Sequence, residues 1–279
     1  MNWNNGSELG ILEVALMPEA IATFKSSPAL SLHAALLRRL ELIAPSASQA
    51  LHNAPPGAPS SEHPWTISSL SGSLHREGNN LVAMQGKTYY VRIAALVPQV
   101  IHALDIAFNP EHSLGQEPLM LEHVPFAVIP EQSHWEQLAT YASLLTRARP
   151  FKDIPLEFLS PTGFSTRQGQ LVSPEPLICV GGYLRKWRAF SEILLEEESV
   201  LEFAENHMTR ERTDLRPTMH RLGKYSKRGF VGKVDWRADN SSPALLRQIN
   251  TLVDYAIYCG TGAKTSMGMG QTRRIRVSS

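Results

Sequence analysis

Eleven residues near the end of the sequence, Gly260-Thr-Gly-Ala-Lys-Thr-Ser-Met-Gly-Met-Gly270, carry four glycines around Lys264, Thr265 and Ser266, with Arg273 and Arg274 shortly after. Glycines let a backbone approach a ligand closely and turn its amides outward, and lysine and hydroxyls add charge and donors, so this composition suits phosphate. Two nucleotide loops of similar composition are excluded. A P-loop reads Gly-x-x-x-x-Gly-Lys-Thr/Ser and leads from a strand into a helix. Here Ala263 precedes Lys264. The helix-spaced run Leu245, Leu246, Ile249, Leu252, Val253, Ala256, Ile257 comes before the loop, and the alternating Ile275 and Val277 come after it. The polarity is helix to strand, with Gly260 as a natural helix stop. The dinucleotide fingerprint also fails, because Thr265 stands where its third glycine belongs. A nucleotide-binding enzyme is therefore disfavoured.

Positive charge gathers at Arg185-Lys186-Trp187-Arg188, from Arg210 to Arg216, and from Arg221 to Lys233, a run that includes Lys224, Tyr225, Lys227 and Arg228. Cations interleaved with aromatic rings suit single-stranded or looped RNA, whose phosphates need Lys/Arg and whose splayed bases need a flat ring. The acids bunch instead at Glu192 and Glu196-Glu197-Glu198. With 27 Lys+Arg against 26 Asp+Glu, the net charge is only +1, so any nucleic-acid surface must be a local face.

At 279 residues, 43% hydrophobic and 19% charged, the chain can bury one large core or two smaller ones. Cys179 and Cys259 sit in apolar helical surroundings without zinc-type spacing, as buried free thiols of a cytoplasmic protein would. The N-terminal Met-Asn-Trp-Asn-Asn-Gly lacks a basic region followed by an apolar core, and no apolar run approaches membrane-spanning length. No membrane partner is expected.

The elements that must position these residues alternate. Leu9 to Met17 reads as a largely buried strand, and Pro28 to Leu42 sets Leu32, Ala35, Leu36, Leu37 and Leu40 at helical spacing. Pro45 to Pro64 is a loop or short helical turn. Trp65 to Leu70 and Lys87 to Leu96 are β-branched and aromatic, and are expected to pair across a turn at Gly78-Asn79-Asn80. Pro98 opens a helix from Gln99 to Phe108, and Leu119 to Ile129 returns to strand. This is β-α-β-β-α-β, the ferredoxin-like unit, over residues 1–130. A linking helix around Glu131 to Thr146, bounded by Arg149-Pro150, fills 131–150. Residues 151–279 repeat the order: strand Ile154 to Leu159, helix within Pro174 to Phe190, strands Val200 to Arg216 and Phe230 to Trp236, helix Pro243 to Tyr258, strand Gln271 to Val277. The expected class is α+β with two tandem ferredoxin-like domains; the competing arrangement is a single α+β domain of the same size.

Five segments in this order resemble one family: Leu51-His52 followed by Pro64-Trp65-Thr66-Ile67-Ser68; Leu156 to Phe164 (Leu-Glu-Phe-Leu-Ser-Pro-Thr-Gly-Phe); the helix ending Arg185-Lys186-Trp187; Gly229-Phe230-Val231-Gly232; and Gly260 to Gln271. Over essentially its whole length the chain resembles the CRISPR-associated pre-crRNA-processing endoribonucleases, the sixth Cas family within the RAMP superfamily. The resemblance implies two ferredoxin-like folds and cleavage within CRISPR repeat RNA.

RNA carries its own nucleophile. A base takes the 2′-hydroxyl proton, the oxygen attacks the adjacent phosphate in line, and an acid protonates the departing 5′-oxygen, leaving a 2′,3′-cyclic phosphate and a 5′-hydroxyl. No metal or other cofactor is required. Histidine titrates near neutrality, and a cation offsets charge on the phosphorane. The resemblance implies His52 as the catalytic histidine. His63 occupies the place where some relatives carry a lysine before the Pro64 to Ser68 strand, so it is a second acid/base or the phosphorane cation. Those relatives carry a tyrosine on the first helix, where this chain offers only Leu36 and Leu37; either the site works with histidines alone, or His33, Arg38 or Arg39 compensates. The glycine loop, through Gly260, Gly262, Lys264, Thr265, Ser266, Gly268 and Gly270, would hold RNA phosphates, with Arg167, Arg185, Lys186, Arg188, Lys224, Lys227 and Arg228 as further contacts. The partners implied are the repeat RNA, a CRISPR effector complex and a second copy of the chain. The alternative is a non-catalytic RAMP subunit that binds crRNA within an effector complex.

Overall fold

The computed structural model describes residues 6–43, 62–166, 169–239 and 242–275. β1 (Leu9–Pro18) pairs antiparallel with β6 (Tyr89–Ala95) on one side, and on the other with β8 (Val124–Val128) at one end and β9 (His134–Ala139) at the other. β3 (Trp65–Ile67) lies outside β6, and β7 (Leu119–Leu121) outside β8, giving the order β3-β6-β1-β8-β7. Two helices complete this unit, α1 (Pro28–Ile43) and α2 (Pro98–Phe108). In α1, Leu32, Ala35, Leu36 and Leu40 are buried at the expected helical spacing.

The second half builds its own sheet, β13-β14-β10-β15, from β10 (Asp153–Thr162), β13 (Met208–Leu222), β14 (Tyr225–Ala238) and β15 (Thr272–Arg274). Its main helices are α4 (Pro176–Phe190) and α6 (Pro243–Cys259). In each half the four principal strands stand side by side as second, third, first, fourth, every neighbour antiparallel. Two β-α-β-β-α-β units produce that order when each helix crosses over one strand. The α+β class and the ferredoxin-like arrangement are therefore observed.

Four local expectations are corrected. Val200 to Arg216 is not one strand: α5 (Glu197–Asn206) precedes β13, because Val200, Phe203 and Ala204 bury one helical face and Glu197 and Glu198 fall in the first turn, where the helix dipole favours acids. The linking helix is instead β9 followed by α3 (Tyr141–Arg147), divided by a capping box at Thr140 and Ser143; the edge of β1 supplies backbone partners for β9. Leu119 to Ile129 is a hairpin, turned at Glu122 and His123 with φ of 47° and 67°. The Gly78-Asn79-Asn80 turn does not join β3 to β6, although those strands pair: it closes β4 (His75–Glu77) on β5 (Asn80–Ala83), which form a small separate sheet with β2 (Ala22–Phe24), and β11 (Phe164–Thr166) pairs with β12 (Gly169–Leu171) in another.

What joins the halves is the alternation of the first sheet. Tyr89, Val91, Ile93 and Ala95 of β6 enter the core beneath α1 and α2, whereas Ala94 and Leu96 belong to the core that contains α4 and α6. Alternation along β1 likewise gives Leu9 and Ile11 to the second core and Leu12, Val14 and Leu16 to the first. Both faces of the sheet are thus covered. On the same face as Ala94, the buried Arg92 donates to the Ile257 carbonyl and to Gln271 Oε1, each at 3.1 Å. Trp187 lies in this second core, edge-on to Tyr141 (4.9 Å between centroids) and Tyr255 (5.4 Å). Replacing it by alanine should cost about 3–5 kcal/mol, read as a lower urea midpoint at unchanged slope, since a large cavity would open beside both halves. A loss below about 1 kcal/mol would mean that the site collapses freely.

Candidate functional site

α6 ends at Gly260 (φ 65°), and the chain then makes a short 3-10 turn over Thr265–Met267. Lys264 is left-handed at φ 61°, a conformation that costs a non-glycine residue about 1–3 kcal/mol and puts it at the exposed apex. The loop is pinned to β10 and its following turn: Ala263 N donates to Gly163 O and Gly270 N to Pro161 O. From below, α4 supplies Tyr183, whose hydroxyl lies 2.6 Å from Thr261 Oγ1, and Lys186, whose ammonium donates to Cys259 O and to Thr265 Oγ1.

The other side of the loop meets the first half. A Cβ on Gly268 would collide with that of Ala29 in α1, so glycine is what permits the approach. One turn along α1, His33 Nδ1 lies 2.7 Å from the Ser266 carbonyl. His220, on β13, places Nε2 2.9 Å from the next carbonyl, that of Met267. A carbonyl only accepts, so each of these ring nitrogens carries the proton. For His33 the proton so placed is the one on Nδ1. Its ring stacks on Trp65 (5.0 Å between centroids, planes 15° apart) and stands 6.5 Å from that of His63.

Beside this cluster opens a cleft of about 950 Å³ whose lining includes Glu62, His63, Arg185, Lys186 and residues 262–267. Arg185 Nε binds Glu62 Oε1 at 2.6 Å. Lys227 and Arg228 border a smaller crevice that shares Lys264 and Ser165.

Of the expected site residues, His33, His63, Lys264, Gly262 and Arg185 come together here. His52 and Arg167 lie outside the described residues. Gly260, Thr265, Ser266, Gly268 and Gly270 are buried and shape the loop. Lys186, expected on RNA phosphates, is instead 4% exposed, because its ammonium turns inward to the loop's own acceptors. Arg188 is exposed and pairs with Glu197 of α5, away from the cleft. Lys224 is exposed at the β13–β14 turn. Arg39 does not compensate for the missing tyrosine: it is buried, donating to the Ala107 and Glu117 carbonyls. Arg273 and Arg274 are paired with Glu157 and Asp254. Sequence reasoning missed Glu62, Tyr183 and His220. Only Tyr183 had a signal, lying three residues before Lys186 on one helical face.

Burial lowers the pKa of His220 from the ordinary histidine value, opposed by its bond to Met267 O. The unfolded chain then takes up a proton that the folded imidazole refuses, so this contribution to stability is full above about pH 6.5 and is lost as pH falls through the folded pKa. The thermal midpoint should drop between about pH 7 and 5. His220→Gln, which keeps a donor without titrating, should make that drop shallower; an unchanged slope would rule His220 out as a source of acid lability.

Comparison with known proteins agrees with this architecture. The model of the family described as CRISPR-associated endoribonuclease Cas6 matches residues 156–272. A CRISPR-associated endoribonuclease Cas6 of Streptococcus thermophilus is 23% identical over 167 residues, 60% of this chain and 63% of that protein's length. Among solved structures, a product complex of a Thermus thermophilus Cas6 superimposes with a TM-score of 0.75 at 23% identity, covering 97% of this chain and 100% of the other. A second Cas6 product complex gives 0.73 at 25% identity, covering 96% and 99%. The family match falls across the β10 to β15 half that carries the glycine loop, and the likeness in fold to the Cas6 structures runs from end to end.

Proposed function

We propose that the protein is an endoribonuclease that cuts CRISPR precursor RNA within its repeats, by metal-independent attack of a 2′-hydroxyl on the adjacent phosphate. The observation that carries this reading is a histidine of the first half, His33, held in one tautomer by a carbonyl of the second half's glycine loop, beside a cleft bordered by cations. Similar Cas6 structures include a substrate-mimic complex and a histidine-to-alanine mutant, which supports histidine chemistry in the family.

In this scheme a histidine removes the 2′-hydroxyl proton, the 2′-oxygen bonds to phosphorus, the bond to the 5′-oxygen breaks, and a second histidine delivers a proton to that oxygen. His33 Nε2 is one of the two. His52, implied by family resemblance, is the other; in sequence it falls between α1 and Glu62, which stands in the cleft wall. His63, whose ring stands 6.5 Å from that of His33, serves in this scheme to replace either or to bind the phosphate oxygens. Lys264 at the loop apex and Arg185 on the wall offset charge on the phosphorane, where preorganised donors act most strongly. Lys227, Arg228 and Lys224 extend the positive surface along the β13–β14 hairpin for the flanking RNA.

The test is cleavage of a labelled repeat RNA in excess EDTA under single-turnover conditions. Wild type should cut, leaving a 2′,3′-cyclic phosphate, and should not cut RNA with deoxyribose at the scissile position. His33→Ala and His52→Ala should each slow cleavage about 10²–10⁴-fold while retaining binding, as expected for lost general acid/base catalysis. Lys264→Ala should weaken binding and lower its salt dependence. Cutting of the deoxy substrate would sink the 2′-hydroxyl mechanism, and tight binding without cutting would favour a non-catalytic RNA-binding subunit.

A further inference from the structure

Lys186 is 4% exposed, and the cleavage scheme leaves it without a part. Burying an ammonium is costly unless its protons are taken up, and burial does lower its pKa from the ordinary lysine value. Two of its acceptors are particular. Cys259 O is the last carbonyl of α6, where unpaired carbonyls and the helix dipole both favour a cation. Thr265 Oγ1, at 3.1 Å, opens the 3-10 turn of the glycine loop. One side chain therefore ties the point where the loop leaves α6 to the point where it turns back. Tyr183, one turn earlier on α4, holds Thr261 in the same way, and Thr261 Oγ1 accepts in turn from Thr272 Oγ1 at 2.8 Å. The residue after Thr265 is Ser266, whose carbonyl takes the Nδ1 proton of His33.

We propose that Lys186 is a positioning residue for His33: by fixing Thr265 against the end of α6 it sets the Ser266 carbonyl, which holds His33 in the tautomer whose Nε2 faces chemistry. The inference rests on the reading of His33 as an acid/base, but it makes a claim about the protein without RNA. In the free protein the His33 ring should exist as a single Nδ1–H tautomer. Loss of the Lys186 tether should leave the loop seated by its glycine contacts while the Ser266 carbonyl loses its fixed direction. The imidazole should then exchange between tautomers, and the reacting proton should spend less time where it is needed. Catalysis should suffer more than binding, because the Lys186 ammonium is already spent on Cys259 O and Thr265 Oγ1.

The experiment compares wild type, Lys186→Met and Thr265→Val. Methionine fills the lysine slot without a donor; valine keeps the shape of threonine without the acceptor. Long-range proton–nitrogen spectra of histidine-labelled protein, with the His33 signals identified by their loss in His33→Ala, report the tautomer. Single-turnover cleavage at saturating repeat RNA and RNA affinity are measured in parallel. Both variants should show a mixed His33 tautomer. Lys186→Met should also show a maximal rate about 10²-fold lower, the usual cost of a misplaced catalytic group, with affinity within about threefold of wild type. A single unchanged tautomer and a wild-type rate in either variant would overturn the proposal, as would a loss confined to affinity. If wild type does not cut RNA at all, the activity reading fails while the spectra still decide the role of Lys186. Should Lys186→Met fail to fold, Thr265→Val tests the same tether from its other end.

Discussion

Consecutive carbonyls of the glycine loop, Ser266 and Met267, each accept a proton from a histidine on a different element, His33 on α1 and His220 on β13. This pair of bonds ties the loop at once to the first half and to the hairpin of its own half. Backbone carbonyls exposed by a sharp turn must find donors or water, and here donors come from segments more than 40 residues away in sequence. The glycines make it geometrically possible: Gly260, Gly262, Gly268 and Gly270 all take positive φ, and Gly268 lets the turn touch Ala29.

The precision of that contact depends on how rigidly the halves are held together. The first sheet is covered on both faces, by α1 and α2 on one and by the core around α6 on the other. Thr66 Oγ1 in β3 donates to Tyr258 O near the end of α6, and Tyr141 OH donates to Leu96 O while lying 3.4 Å from Tyr255 OH. Close packing with hydrogen bonds between the halves leaves little freedom for one half to rock on the other. α1, β3 and the loop after α6 are thereby held in fixed relation to one another.

The near-neutral total charge hides two populations of cations. Arg39, Arg92, Lys186 and Arg274 are withdrawn from solvent and spend their donors on carbonyls, amides and carboxylates of the protein itself. Lys264, Arg185, Lys224 and Arg228 remain at the surface around the cleft and the β13–β14 turn. Six of the 26 acids cluster on α5 and its approach, where Glu197 and Glu198 favour a helix start. Segregation of this kind keeps a positive face on a chain whose sum is nearly zero.

Periodicity and glycine spacing were enough to determine the two β-α-β-β-α-β units, because apolar residues at 3.6 or 2.0 spacing have one way to bury a face. They also determined the helix-to-strand polarity of the glycine loop, and with it the exclusion of nucleotide-binding loops. Failures came where period and context compete. Val200 to Ala204 is compatible with strand or helix until α6 lies against it, and Leu119 to Val128 is one apolar run until Glu122 and His123 turn left-handed. Which basic residue keeps its charge towards the cleft was not legible at all: Arg185 and Lys186 are adjacent in sequence and both line the cleft, yet a rotation of about 100° along the helix leaves Arg185 at the surface and turns the Lys186 ammonium in to the loop's own acceptors. The partnership of His33 with Ser266, 233 residues apart, arises only when α1 and the loop are brought together. Local pattern acts through neighbours in sequence and so could specify the elements; the site is made of contacts between elements, and only the packed tertiary structure decides which side chains those contacts leave facing the cleft.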